Sequence, residues 1–388
     1  MAGSSNVTGR GRRRKRWGGG YDFNLMFLTF LLVCFGFVMI YSTSSYAAQV
    51  KNLGAGYYMK KQIQAAFFGL FLMAMVSMVN YKAYIVRLAG RINLAVLAYL
   101  LAIVLQTAVL LFGDEINGAK RWLTIGGFSF QPSDFSKIAV ILFVAYLTQL
   151  NPKALDRIGG FIRIVLYTAP LIVLIAAENL STAVIVTGVM IGICYVTSRK
   201  NAYFVIGILV IAAAGAAYVF LGEGFRAERI EIWQNVETHE KGFQILQGLY
   251  AIASGGLGGV GLGESRQKLG YIPEAQNDMI FSIICEELGL FGAIMVVLLF
   301  VLLLWRIFII ARSANDMYGG LLCSGVLIHV ALQVVLNIAV VTNSIPSTGV
   351  ALPFISYGGT SVSMLMAEMG LVLAVSKQIR VEKRHGTA

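Results

Sequence analysis

Long apolar runs separated by short polar turns dominate the chain. Runs of the length that crosses a bilayer, about 17–25 residues, lie near 23–43, 62–79, 92–112, 134–150, 161–177, 182–198, 202–221, 285–309, 319–341 and 360–376. The pattern predicts ten membrane spans, the fifth and sixth divided only by Glu178-Asn-Leu-Ser181. One polar interruption, Gly222 to Asp278, is far longer than the rest and falls between the seventh and eighth spans. Within it, Phe225 to Thr238 reads as an amphipathic segment with Phe225, Ile230 and Trp233 as interface anchors. Gly242 to Ala253 is apolar but too short to span, so it reads as a re-entrant or interfacial helix. The glycine-rich Gly255 to Gly263 suits tight turns. No predicted strand precedes it, so it reads as a flexible or lipid-contacting turn rather than a phosphate loop.

Composition sharpens this picture. Hydrophobic residues make up 57% of the 388 and charged residues 13%, where a soluble domain carries about a quarter charged. The expected fold class is an all-α polytopic membrane protein. It would have a basic tail over 1–21, a ten-span membrane domain over 22–377 with 222–278 as its large extracytoplasmic loop, and a tail over 378–388. Most Lys and Arg gather on one face: Arg10 to Arg16, Lys82/Arg87/Arg91, Lys153/Arg157/Arg163, Arg199/Lys200, Arg306/Arg312 and Lys377 to Arg384. The positive-inside rule puts that face and both termini in the cytoplasm. The net charge of +12 then reads as attraction to anionic lipid, not to nucleic acid. Cys34, Cys194, Cys285 and Cys323 lie in apolar segments without metal spacing and read as packing residues. His239, His329 and His385 form no pattern.

Chemistry is expected outside. The topology places 113–133, 178–181, 222–278 and 342–361 on the outer face, where they can converge on one cavity. Tyr271-Ile-Pro-Glu-Ala-Gln-Asn-Asp278 delivers a carboxylate to the point where the chain re-enters hydrocarbon, and such a charge is there at a cost. Ser133, after Pro132, is the expected N-cap of the fourth span. Asp134 and Lys137 are three apart and can pair as a structural unit; in the other reading, Lys137 and Arg121 present cations to an anionic ligand. Pro346, Gly349, Pro353, Gly358 and Gly359 exclude a continuous helix. That segment is expected to line a cavity with Ser347, Thr348, Ser356 and Tyr357 as donors. Asp278 and Glu286, eight apart, would share one helix face, with Glu286 and Glu287 as bracing partners for Arg or Lys.

Five ordered blocks carry a resemblance. They are Asn117-Gly-Ala-x-Arg-Trp122, Gln131-Pro-Ser-Asp-x-x-Lys137, Ser254 to Gly263, Pro273-Glu-Ala-x-x-Asp278 with Glu286-Glu-Leu-Gly289, and Thr348-Gly-x-x-Leu-Pro-Phe-Ile-Ser-Tyr-Gly-Gly359. Together they resemble the SEDS family (shape, elongation, division and sporulation) from about Asp22 to Lys377, closer to its FtsW and SpoVE branches than to RodA. One departure is Asn179, where many relatives carry Asp, which puts any acid–base or metal role there in doubt. The resemblance implies peptidoglycan glycosyltransferase activity on lipid II at the outer membrane face, with undecaprenyl pyrophosphate released and Asp278 as the catalytic carboxylate. The expected substrate-binding set is Arg121, Trp122, Gln131, Lys137, Glu274, Thr348, Ser356 and Tyr357, with Asp134, Glu286 and Glu287 shaping the cavity. A divalent cation (Mg or Mn) on the pyrophosphate is compatible, and no organic cofactor is expected. The implied partners are the growing glycan strand, a class B penicillin-binding protein and divisome membrane proteins. The competing reading is a lipid II flippase without chemistry.

Overall fold

The computed structural model describes residues 16–17, 20–89, 92–116, 119–125, 128–200, 231–239 and 242–381. The predicted span 202–221, the anchors Phe225 and Ile230, Asn117-Gly118, the basic run before Arg16, and His385 lie outside these residues. Among the described residues, nine helices are long and apolar enough to cross a membrane. They are α1 (Phe23–Val50), α2 (Tyr57–Met78), α3 (Leu94–Phe112), α4 (Pro132–Leu150), α5 (Ile158–Glu178), α6 (Leu180–Thr197), α8 (Ile280–Ser313), α9 (Met317–Val341) and α10 (Gly359–Lys377). A shorter helix, α7 (Phe243–Gly255), occupies the apolar stretch that is too short to span.

Local chemistry sets the helix starts. Asp22, Asn93, Asn179 and Asp316 each accept a backbone N–H from the first turn of α1, α3, α6 and α9, satisfying donors that hydrocarbon would leave orphaned. Asn179 is therefore a cap. The expectation that Ser133 caps α4 is corrected: Gln131 holds the cap position without a side-chain bond, and Pro132 takes the first helical position. Pro there loses nothing, because its missing N–H is one of the unpaired ones.

The helices α4 and α10 form the centre, with 78% and 83% of their apolar windows buried, against 28% for the peripheral α3 and α5. Tight contact between α2 and α10 depends on small residues. A Cβ on Gly69 would lie 2.8 Å from the Met366 sulfur, and one on Gly370 would lie 2.7 Å from the Met73 carbonyl oxygen. Close approach of this kind supplies the van der Waals contact that holds helices together in lipid.

Short strands decorate both faces. β1 (Arg16–Trp17) pairs with β7 (Arg380–Val381), and β2 (Arg87–Ala89) pairs with β3 (Ile92–Asn93). On the other face β4 (Asp114–Ile116), β5 (Ala119–Ile125) and β6 (Phe128–Phe130) form an antiparallel three-stranded sheet, which the apolar pattern did not foretell. The pairing of β1 with β7, and the bond from the Asp22 amide to Ser376 Oγ at 3.3 Å, bring the start of α1 to the end of α10. Arg306, late in α8, holds the Asp22 carboxylate through Nε at 2.8 Å and Nη2 at 2.5 Å.

The helix α8 is broken at Gly289 (φ 67°, ψ −165°). The glycine-rich loop after α7 fills the break. The Val260 and Gly261 amides donate to the Glu286 and Glu287 carbonyls at 2.9 and 3.0 Å, while the Leu290 and Phe291 amides donate to Gly256 and Leu257 at 2.9 and 3.3 Å. Four bonds across the break are thereby made, so the loop is a backbone plug rather than a flexible turn, while its side chains Leu257, Val260 and Leu262 stay exposed. A Cβ on Gly289 would lie 2.3 Å from the Gly259 nitrogen, so only glycine fits. Gly289→Ala is therefore expected to lower stability by more than the about 1–3 kcal/mol of backbone strain alone. Gly54→Ala, in open space, should stay within about 0.5 kcal/mol. Thermal unfolding in detergent reads both, and equal midpoints would contradict the plug.

Candidate functional site

Asp278 sits two residues before α8 begins, at the end of a loop stitched into its surroundings. It therefore does not share a helix face with Glu286, as the spacing suggested, because the helix starts only at Ile280. The α9 side chain Asn337 donates through Nδ2 to the Asp278 carbonyl and to the Val350 carbonyl, both at 2.8 Å. The Tyr357 amide donates to the Gln276 carbonyl at 2.9 Å. Glu274 adopts a left-handed backbone (φ 48°) and accepts from Asn277 Nδ2 at 2.8 Å, which tightens the turn before Asp278. Asp278 is half-buried, and a Cβ on Gly349 (φ 65°) would lie 3.9 Å from its Oδ2. The carboxylate thus faces the broken segment 342–358.

That segment is clamped from three sides. Gln62 on α2 donates to the Ser356 carbonyl at 3.2 Å and accepts from the Gly358 amide at 3.1 Å. Ser181, at the start of α6, donates to the Thr348 carbonyl at 2.7 Å. Ser356, expected as a substrate donor, is buried, and its Oγ accepts the Leu352 amide at 2.8 Å; it holds a turn. Tyr357 packs edge-on against Tyr58 with ring centroids 5.2 Å apart, and burial raises its phenol pKa. Thr348 Oγ1 is buried without a hydrogen-bond partner.

The cations divide. Arg121, half-buried on β5, donates through Nε to the Glu178 carbonyl at 3.0 Å, while the Lys120 amide donates to the Glu178 carboxylate at 2.9 Å. Burial pulls the guanidinium pKa down and Glu178 opposes it; a guanidinium in protein remains charged. Trp122, its neighbour, is paired across the sheet with Asp114. Lys137 is 6% exposed and bonded to Asp134 at 2.9 Å, and Asp134 also accepts from Thr360 at 3.1 Å. Its charge is compensated inside the bundle nearly two turns beyond Gln131, the half-buried residue at the mouth of α4.

Glu286 and Glu287 brace the plug. Glu287 pairs with Lys268 at 2.7 Å and accepts Ser42 at 2.6 Å, with both charged side chains almost wholly buried. Among the described residues no salt bridge reaches Glu286; it accepts Ser265 Oγ at 2.5 Å and the Arg266 amide at 3.0 Å. Sequence reasoning passed over Lys268, Ser42, Gln62 and Asn337. Lys268 and Asn337 carried a signal, as polar groups beside or inside apolar stretches need partners. No cluster of three or more His, Cys, Asp or Glu side chains among the described residues could hold a metal ion.

Five segments far apart in sequence thus meet on one face: β5, the α5–α6 turn, the plug, the Asp278 loop and 342–358. Comparison with known proteins finds relatives over almost the whole chain. Residues 23–381 match the FtsW/RodA/SpoVE family model, described as cell cycle protein.

The chain belongs to the FtsW/RodA/SpoVE family.

Stage V sporulation protein E of Bacillus subtilis is 36% identical over 364 residues, covering 92% of this chain and 98% of the relative. A probable peptidoglycan glycosyltransferase FtsW of Geobacter sp. strain M18 is 34% identical over 367 residues, covering 93% and 98%. Among solved structures, a chain studied for how a peptidoglycan synthase complex coordinates polymerization and crosslinking superposes with a TM-score of 0.78. It is 26% identical and covers 94% of this chain and 99% of its own. The Thermus thermophilus rod shape determining protein RodA gives 0.66 at 26% identity, covering 92% and 97%. This FtsW/RodA/SpoVE member is accordingly a multi-pass protein of the plasma membrane.

Removing one partner of the buried Lys268–Glu287 pair strands the other charge. Lys268→Met should destabilise by about 3–5 kcal/mol, and adding Glu287→Gln to it should restore most of the loss. Unfolding midpoints of the two variants in the same detergent check this; a double variant no more stable than the single one would contradict it.

Proposed function

We propose that the chain polymerises lipid II into glycan strands on the outer face of the plasma membrane during cell division, releasing undecaprenyl pyrophosphate. Family membership makes it a peptidoglycan glycosyltransferase. The observation that carries the site assignment is Asp278, a half-buried carboxylate on a loop fixed by Asn337 and Tyr357, facing the broken segment at Gly349. A saccharide hydroxyl is a poor nucleophile, and a positioned carboxylate takes its proton as it attacks. The lipid II donor departs as pyrophosphate, an acidic leaving group that needs its charge met more than a proton. One base and a cationic cradle therefore suffice, with inversion at the reacting carbon, unlike the two carboxylates of glycoside hydrolysis.

Arg121 is the cation we assign to the diphosphate, with Trp122, Gln131, Glu274, Thr348 and Tyr357 lining the approach of the two lipid-anchored substrates. Lys137, neutralised by Asp134, contributes shape rather than net charge. A divalent cation (Mg or Mn), if one takes part, would supply further positive charge for the pyrophosphate and would be held mainly by the substrate, since no carboxylate cluster among the described residues would cage it.

Parity supports ten spans with both termini cytoplasmic. The end of α6 meets the α4–α5 connection, with Ser198 Oγ 3.1 Å from the Leu155 carbonyl. The start of α1, the end of α10 and Arg306 in α8 also meet one another. If these contacts mark the inner face, α8 enters from outside, and one crossing between Thr197 and Ile280 closes the path. The large outer loop then runs over 222–278. For partners, the likeness to a chain from a polymerising and crosslinking complex supports a class B penicillin-binding protein together with divisome membrane proteins.

Purified Asp278→Asn should bind lipid II yet make glycan about 10²–10⁴-fold more slowly. Glycan length after incubation with lipid II checks this: polymer from the variant at the parent rate removes the base assignment, and lipid movement without polymer from the parent favours a flippase. Co-expression with the cognate transpeptidase should raise the parent's rate severalfold, measured in the same assay; equal rates would contradict the partnership.

A further inference from the structure

Among the described residues, eleven buried side-chain polar atoms have no hydrogen-bond partner, and four of these belong to facing parts of α9 and α10. They are His329 Nε2, Gln333 Oε1 and Asn337 Oδ1 on α9, and Glu368 Oε1 on α10. The four residues are 1%, 3%, 0% and 1% exposed. Positions 329, 333 and 337 fall on one helix face, each about 6 Å of rise beyond the last. At the inner end His329 Nδ1 lies 2.7 Å from Glu368 Oε2. At the outer end Asn337 holds the Asp278 carbonyl.

An unsatisfied buried polar group costs about 1–3 kcal/mol, and four on one strip add up to a large fraction of a domain's stability. Proteins meet such groups with buried water making about three hydrogen bonds. One water with two bonds of about 2.8 Å at its tetrahedral angle bridges atoms about 4.5 Å apart, so one or two waters per step, with the reach of the side chains, cover the rise of this stripe.

We propose that the His329–Gln333–Asn337 face of α9 holds a file of buried waters linking the Asp278 loop to the His329–Glu368 pair, and that this pair is an intramembrane proton-binding site. In neutral His329 the Nδ1–H donates to the Glu368 carboxylate, leaving the Nε2 lone pair toward the file. A hydronium in the file gives its proton to Nε2 and becomes water; the pair passes from net −1 to net 0. The charged groups on neighbouring elements are otherwise committed. The helices α1 and α6 carry none. In α4 there is only the Asp134–Lys137 pair, reached through Thr360 two turns along α10 from Glu368. Glu286 and Glu287 of α8 are bonded to the plug, and Lys60 and Lys61 lie in the first turn of α2. If the proposed reaction holds, the site gives the proton collected by Asp278 a place to go while lipid covers the outer mouth.

The chain has three histidines, so full-length protein labelled with ¹⁵N at histidine alone yields a sparse spectrum. In proteoliposomes, the ring signals of His329 are those lost in His329→Gln. Water-edited solid-state NMR then measures magnetisation passing from water to the imidazole. Transfer should reach His329 in the parent protein, and Gln333→Leu, which dries the middle of the file, should slow it severalfold without changing His239. No transfer to His329 in the parent, or equal transfer in Gln333→Leu, overturns the proposal. In the parent, acidifying the sample should convert the His329 ¹⁵N signals from the neutral to the imidazolium pattern, and in Glu368→Gln it should not; a His329 that stays neutral in acidified parent overturns proton binding. None of these readouts involves catalysis, so the proposal stands or falls apart from the polymerase assignment.

Discussion

A backbone amide in hydrocarbon has no water to turn to, and the outer half of this protein is organised around that constraint. The chain breaks α8 at Gly289 and leaves α9 for the irregular segment 342–358, both close to membrane depth. Each break is closed by a specific donor or acceptor. The glycine loop supplies four bonds across the α8 break. Gln62, Asn337, Ser181 and Ser356 close the second. The gain is a rigid, irregular surface at the membrane face on which a carboxylate and a guanidinium can be fixed.

Rigidity matters because the chemistry asks for placement more than for many reacting groups. Two substrates held by lipid tails diffuse in the plane of the membrane, and aligning them removes much of the entropic part of the barrier. Asp278 gains its orientation from backbone contacts: Asn337 holds its carbonyl, and Tyr357 holds Gln276 two residues earlier. The buried Lys268–Glu287 pair fixes the plug behind that loop. Losing either partner alone would leave the other charge buried and unpaired, so the two hold the plug as a unit.

Much of the fold was legible in the sequence, because hydrocarbon thickness and apolar run length are directly related. The α7 segment was readable as too short to span, and the Pro and Gly residues of 346–359 as a broken element. The convergence of outer segments followed from topology alone. Contacts that depend on side-chain partners in distant helices were not legible. Glycine density at 255–263 marked close approach but not what approached. The spacing of Asp278 and Glu286 suggested one helix because nothing in Met279-Ile-Phe announces a start at Ile280. For Lys137 the spacing left two readings open, a pair with Asp134 or a cation for an anionic ligand, and the enclosure by Asp134 and Thr360 favours the pair. The β4–β6 sheet escaped because β4 and β6 are only three residues long and β5 carries no regular apolar alternation.

The central claim is that Asp278 receives the proton of the attacking saccharide. A cryo-electron microscopy structure of Asp278→Asn in nanodiscs with lipid II and a short glycan acceptor tests it most directly. The account predicts the attacking hydroxyl within about 2.6–3.2 Å of the residue 278 side chain, and the pyrophosphate beside Arg121. An acceptor hydroxyl that instead meets Glu274, or a pyrophosphate on the opposite membrane face, would contradict it.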